Sequence, residues 1–107
     1  MNIVQLAKTL AEVAYDGQKH ASGELQVDRS SRVADNLTTD SEKAVGWLQK
    51  ILSMSPVTVE NLRELGFGQP VVDAVIALNR DPSERDYQRV IRRNPLAVRV
   101  NSIDASL

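Results

Sequence analysis

Cysteine is absent from this sequence, and that excludes disulfides, thiolate metal sites and cysteine nucleophiles together. Histidine occurs once, at His20, too few for a convincing Ser/His/Asp ordering; neither a P-loop nor a GxSxG motif is present. Apolar runs are a few residues long, far short of the roughly 20 needed to span a bilayer. Neither sign of charge is in excess: 13 Lys and Arg stand against 14 Asp and Glu, so the chain as a whole has no polyanion-binding character. The opening MNIVQLAKTLAEVA is amphipathic but has no basic n-region and no uninterrupted apolar h-region. No signal peptide and no membrane partner are expected, and the expected compartment is cytoplasmic.

What is present is helical periodicity. A chain of 107 residues makes one domain, 1–107, able to bury about two thirds of its unfolded surface. The organising stretch is Asp40 to Thr58, where Ala44, Val45, Leu48, Ile51 and Leu52 recur at helical spacing behind a cap at Asp40 or Ser41. With Trp47 and Met54 they form an apolar stripe broad enough for a central core helix, closed by Ser55-Pro56. Before it, Ile3, Leu6, Ala7, Leu10, Val13 and Ala14 predict a helix ended by Gly17, and Asp28 caps a second helix with Val33, Ala34 and Leu37. After it, Thr58 starts a short helix with Gly66 at its C′ position. Pro70 opens a helix whose Val71, Val72, Val75 and Ile76 read as buried helix rather than strand. Asp81 to Glu84 open another helix through Arg93, and Asn94-Pro95 precede a last segment. The expectation is an all-α fold of about seven short helices packed at varied angles.

The ordered motifs carry a resemblance. Residues 14–24, AYDGQKHASGE, are similar to the A-H-x-G-Q-x-R-x-x-G-E opening of HD-domain hydrolases of the RelA/SpoT type. Val33-Ala34 matches the next V-A, and Leu48 to Thr58 looks like L-H-D-V-L-E-D-T-P-V-T. Leu62 with Gly66-Phe67 matches L-x-x-x-G-F, and Tyr87 to Asp104 resembles Y-x-x-x-I-x-x-N-P-L-A-x-x-V-K-x-x-D. The resemblance implies an HD-like orthogonal helical bundle. It also implies ancestry in enzymes that remove pyrophosphate from guanosine tetraphosphate with one divalent metal held by His, a His-Asp pair and a distal Asp.

The implied chemistry does not carry over. The first ligand position is Arg29, the His-Asp pair is Gln49 and Lys50, and only Asp104 keeps its type. Ser53 and Met54 stand where two carboxylates assist the attacking water. Arg and Lys cannot ligate a cation at neutral pH, so no metal and no cofactor is expected, and hydrolysis is not. A carboxylate at Asp104 without its cation is costly to enclose. Arg29, ahead of Lys50, is therefore expected within salt-bridge distance of it.

The expectation is a degenerate HD-type domain that binds a guanine nucleotide or a protein partner. Gln18, His20 and Arg29 are the candidate nucleotide contacts: His20 stands where the family stacks an Arg on guanine, and a solvent-exposed loop histidine is the plainer reading. A rival enzyme would use Asp104 as base with Arg29 or Lys50 on phosphate. A second rival is a nucleic-acid-contacting module built on Arg85, Arg89, Arg92 and Arg93. Glu84 and Asp86 nearby favour a solvated helix face with i, i+4 pairs instead, so nucleic acid is not expected as a partner. Relative to the family pattern the chain looks truncated after Asp104. A homodimer covering Val98, Val100, Ile103 and Leu107 is one expected consequence.

Overall fold

The middle of the sequence does become the middle of the molecule. The computed structural model describes residues 2–107, among which eight helices are formed: α1 (Ile3–Ala14), α2 (Gln26–Asp35), α3 (Asp40–Leu48), α4 (Ile51–Met54), α5 (Val59–Glu64), α6 (Gln69–Leu78), α7 (Tyr87–Arg92) and α8 (Pro95–Ser106). The fold is all-α; among the described residues the nearest thing to a strand is one bridge between Lys19 and Leu25. Helix α3 packs against α1, α2, α6 and α8, and Ala44, Val45, Gly46, Trp47 and Leu48 are all buried along it. Gly46 lets two helices touch: a Cβ there would lie 3.0 Å from Leu37 Cδ1 and 3.3 Å from Ala34 Cα on α2.

Local chemistry explains most boundaries. Thr39, one residue before the expected cap, opens α3 in a capping box, accepting from Glu42 N while the Glu42 carboxylate accepts from Thr39 N. Thr39→Ala should therefore cost about 1 kcal/mol. Thermal unfolding should show it as a fall in Tm of roughly 4–8 °C. At the end of α5, Gly66 takes φ +98° and the two bonds of a Schellman motif form, Phe67 N to Leu62 O and Gly66 N to Arg63 O. Leu62 and Phe67 are both buried, which is the hydrophobic contact that accompanies this motif. Helix α6 buries Val71, Val72, Ala74, Val75, Ala77 and Leu78, as its spacing predicts. Asn94 caps α8 by accepting from Ala97 N at 3.0 Å.

Three expected boundaries move. Asp28 lies in the first turn of α2 rather than capping it. The turn from Gln18 to Leu25 delivers the chain into the helix, and Gln26 N finds Gln18 O at 2.8 Å. Residues 81–86 are not helical, because Asp81 Oδ1 accepts from Ser83 N and Oγ at 2.9 and 2.8 Å in a local turn. Arg85 consequently precedes α7. The third change raises the helix number: the long helix expected from Asp40 to Met54 is two helices, broken at Gln49-Lys50.

Candidate functional site

The break falls on Gln49 and Lys50, two of the candidate site residues. Lys50 has φ −119° and ψ 9°, outside the helical basin, so backbone groups around it need other partners. Two side chains supply them. The fully buried Tyr15 donates its hydroxyl to Trp47 O at 2.9 Å and accepts from Lys50 N at 3.2 Å. Burial raises the Tyr15 phenol well above its ordinary pKa, although the Lys50 N–H and Ser30 pull it the other way. Asn79, just past α6, donates to Gln49 O at 2.9 Å and to Val75 O at 2.7 Å, and its Oδ1 accepts from Ser53 N and Oγ. Gln49 is buried; Lys50 is half-buried and makes no ion pair among the described residues. Met54 packs half-buried on the core and its carbonyl accepts from the Gln18 amide.

Arg29 sits on α2 with its side chain only 9% exposed, and it faces the last turn of α8. Its Nε donates to Asp104 Oδ1 at 3.0 Å and its Nη2 to the Asp104 carbonyl at 2.5 Å. A third contact runs from Nη1 to Glu24 Oε1 at 3.5 Å. The guanidinium thus ties α2, the 18–25 turn and α8 together. Placing its charge against the last carbonyls of α8 also suits the negative end of that helix. Among the described residues no three His, Cys, Asp or Glu side chains stand together as metal ligands. A cation-binding donor set does not fit here, because Asp104 is already held by the Arg29 guanidinium.

Glu24, which the sequence reading leaves without a role, is the hinge of this cluster. It also accepts from Arg32 Nη1 at 2.8 Å and from Ser22 Oγ at 3.3 Å. Desolvation pushes its pKa up, but Arg32, Ser22 and Arg29 outweigh that and hold the carboxyl below its ordinary value. A lowered folded pKa means stability that is complete above the ordinary value and lost as pH falls through the lowered one. Glu24→Gln is expected to flatten the loss of stability below about pH 4.3. Denaturant midpoints measured at several acid pH values would register this.

Two of the candidate nucleotide contacts, Gln18 and Arg29, are spent inside the fold, and His20 bonds within its own loop. The Gln18 amide donates to Ala14 O at 3.1 Å as well as to Met54 O. His20 is half-buried rather than exposed, and its Nδ1 accepts from Ser22 N at 3.1 Å. Two surface hollows lie elsewhere. One of about 370 Å³ is lined by Lys8, Glu12, Asp16, Asp28 and Trp47 among others, and one of about 460 Å³ by Leu10, Val57, Asn61, Glu64 and Leu65. Neither includes Arg29, Gln49, Lys50 or Asp104. Arg85, Arg89, Arg92 and Arg93 are exposed and remote from Arg29 in sequence. Of the apolar residues expected to await a second copy, Val100 is buried and Ile103 half-buried, leaving Val98 and Leu107 exposed.

Asn79 was missed because a polar residue after an apolar helix reads as an end signal, not as a plug for another helix's break. Glu24 carried a weak signal, standing five residues before Arg29 inside the resembled G-E pair. No family model matches the chain, and no curated protein matches it.

Proposed function

We propose that this chain is an HD-type helical domain, related in pattern to the RelA/SpoT hydrolases, in which an arginine has taken the structural place of the catalytic metal. Its work is then binding and regulation rather than hydrolysis. The supporting observation is the Arg29–Asp104 pair, 3.0 Å from Nε to Oδ1, at two of the positions the resemblance marks as metal ligands. A metal that joins helices there would act as a cross-link as well as a Lewis acid. The guanidinium supplies the cross-link alone, because it has no vacant coordination position and cannot give up its proton. The rival hydrolase is disfavoured by the same contact: the Asp104 carboxylate already accepts from Arg29 Nε and is turned toward α2 rather than free to take a proton from an attacking water. With Gln18 and Arg29 engaged inside the fold and His20 bonded to Ser22 in its own loop, a protein partner suits the domain better than a guanine nucleotide.

Purified protein incubated with guanosine tetraphosphate and Mn²⁺ is expected to release no pyrophosphate and to retain no stoichiometric metal. Turnover, or one metal per chain lost on changing Asp104, would contradict the proposal.

A further inference from the structure

We propose that the exposed face of α7 is a docking surface for the sugar-phosphate backbone of a nucleic-acid duplex, independent of the Arg29 cluster. Residues 85–99 hold five arginines and one carboxylate, Asp86, in a chain whose formal net charge is −1. The rest of the sequence carries the balancing excess of carboxylates, so positive charge is concentrated in this stretch. All five arginines are exposed. None of Arg85, Arg89, Arg92, Arg93 and Arg99 makes an ion pair among the described residues; the salt bridges lie at Arg29, Arg32, Arg63 and Arg80. Glu84, the neighbour best placed to neutralise the patch, is instead held by Arg80 at 2.5 Å. The i, i+4 pairing that would make this an ordinary solvated helix is therefore absent.

The geometry narrows the partner. On α7, Arg89, Arg92 and Arg93 fall within about 100° of one another around the axis, opposite Tyr87, Val90 and Ile91. Those three pack on the core, Ile91 buried and the other two half-buried. From Arg89 to Arg93 the helix rises about 6 Å, close to the rise of two nucleotides along one strand. Arginine forks suit phosphate oxygens, which they can grip in pairs. A membrane surface fits less well, since an interfacial helix needs an apolar face to insert and that of α7 is already spent. Single strands fit less well too, because base stacking needs exposed aromatics and the one nearby, Tyr87, faces the core. The contact expected is with backbone only, and is therefore indifferent to sequence.

Fluorescence anisotropy with a labelled random-sequence duplex tests this. Contacts from Arg85, Arg89, Arg92 and Arg93, four in all, predict that affinity falls about 100-fold between roughly 50 and 200 mM salt. For Arg89→Gln/Arg92→Gln, two exposed changes whose folding circular dichroism verifies, the fall should shrink to about 10-fold. Arg63→Gln, an exposed arginine on α5, should behave as the parent. The proposal is overturned by absence of duplex binding at the lower salt, or by an unchanged salt dependence in the double variant. It is equally overturned if polyglutamate or phosphatidylglycerol vesicles bind as tightly as the duplex.

Discussion

Replacing Arg29 with alanine is expected to destabilise the fold by about 3–4 kcal/mol, the largest effect of any single polar change in the molecule. Fully buried ion pairs cost roughly 3–5 kcal/mol when one partner is removed, because the other is left charged and without compensation. Here the stranded group would be Asp104, whose side chain retains 24% exposure and so recovers part of its hydration, whereas Glu24 keeps Arg32 at 2.8 Å. That places the cost in the lower half of the range. The reciprocal change is gentler. In Asp104→Ala the guanidinium keeps Glu24, and its bond to the carbonyl of residue 104 is made to backbone. About 1–3 kcal/mol is expected. Urea midpoints at constant m would measure both. The order matters more than the values: an Asp104→Ala variant less stable than Arg29→Ala would mean that the carboxylate, not the guanidinium, organises the cluster.

Tyr15→Phe carries the second large effect, about 2–3 kcal/mol, although it deletes a single oxygen. That oxygen serves two backbone groups at once, Trp47 O and Lys50 N, at the break between α3 and α4. Without it both lose a partner, and a buried backbone group left unsatisfied costs roughly 1–3 kcal/mol. Trp47 O has little access to water, since Trp47 is 7% exposed, whereas the half-buried Lys50 can be reached by solvent. The sum is accordingly less than two full penalties. Amide exchange should report the change locally, with Lys50 and its neighbours losing protection before the body of α3 does. A Tyr15→Phe variant of parental stability would show that water already serves the break.

These residues also show what the sequence could reveal. The periodicity of Ala44, Val45 and Leu48 was enough to identify the central helix, since burial on one face repeats in the chain. Gly66 and Asn94 marked helix ends correctly, because positive φ and side-chain capping are local properties. The Arg29–Asp104 pairing was expected only through a family resemblance, for 75 residues separate the two and nothing local links them. The break at Lys50 was invisible for a related reason. Gln49 and Lys50 are good helix formers, and what interrupts them is Tyr15 and Asn79, contributed from 35 and 30 residues away. The turn at Asp81 looks like a helix start in the sequence because Asp, Pro and Ser serve both purposes.

The most direct measurement is the metal content of a variant that restores the resembled ligand set. Under the proposed reading, Arg29→His, Gln49→His and Lys50→Asp together would put a His, a His-Asp pair and Asp104 at the four positions that the resemblance marks as ligands. Those imidazole and carboxylate donors suit a divalent ion such as Mn²⁺. After equilibration with Mn²⁺ and gel filtration, elemental analysis should find about one ion per folded chain of the variant and none in the parent. An ion retained by the parent, or a folded variant that binds none, would contradict the view that Arg29 occupies a lost metal centre.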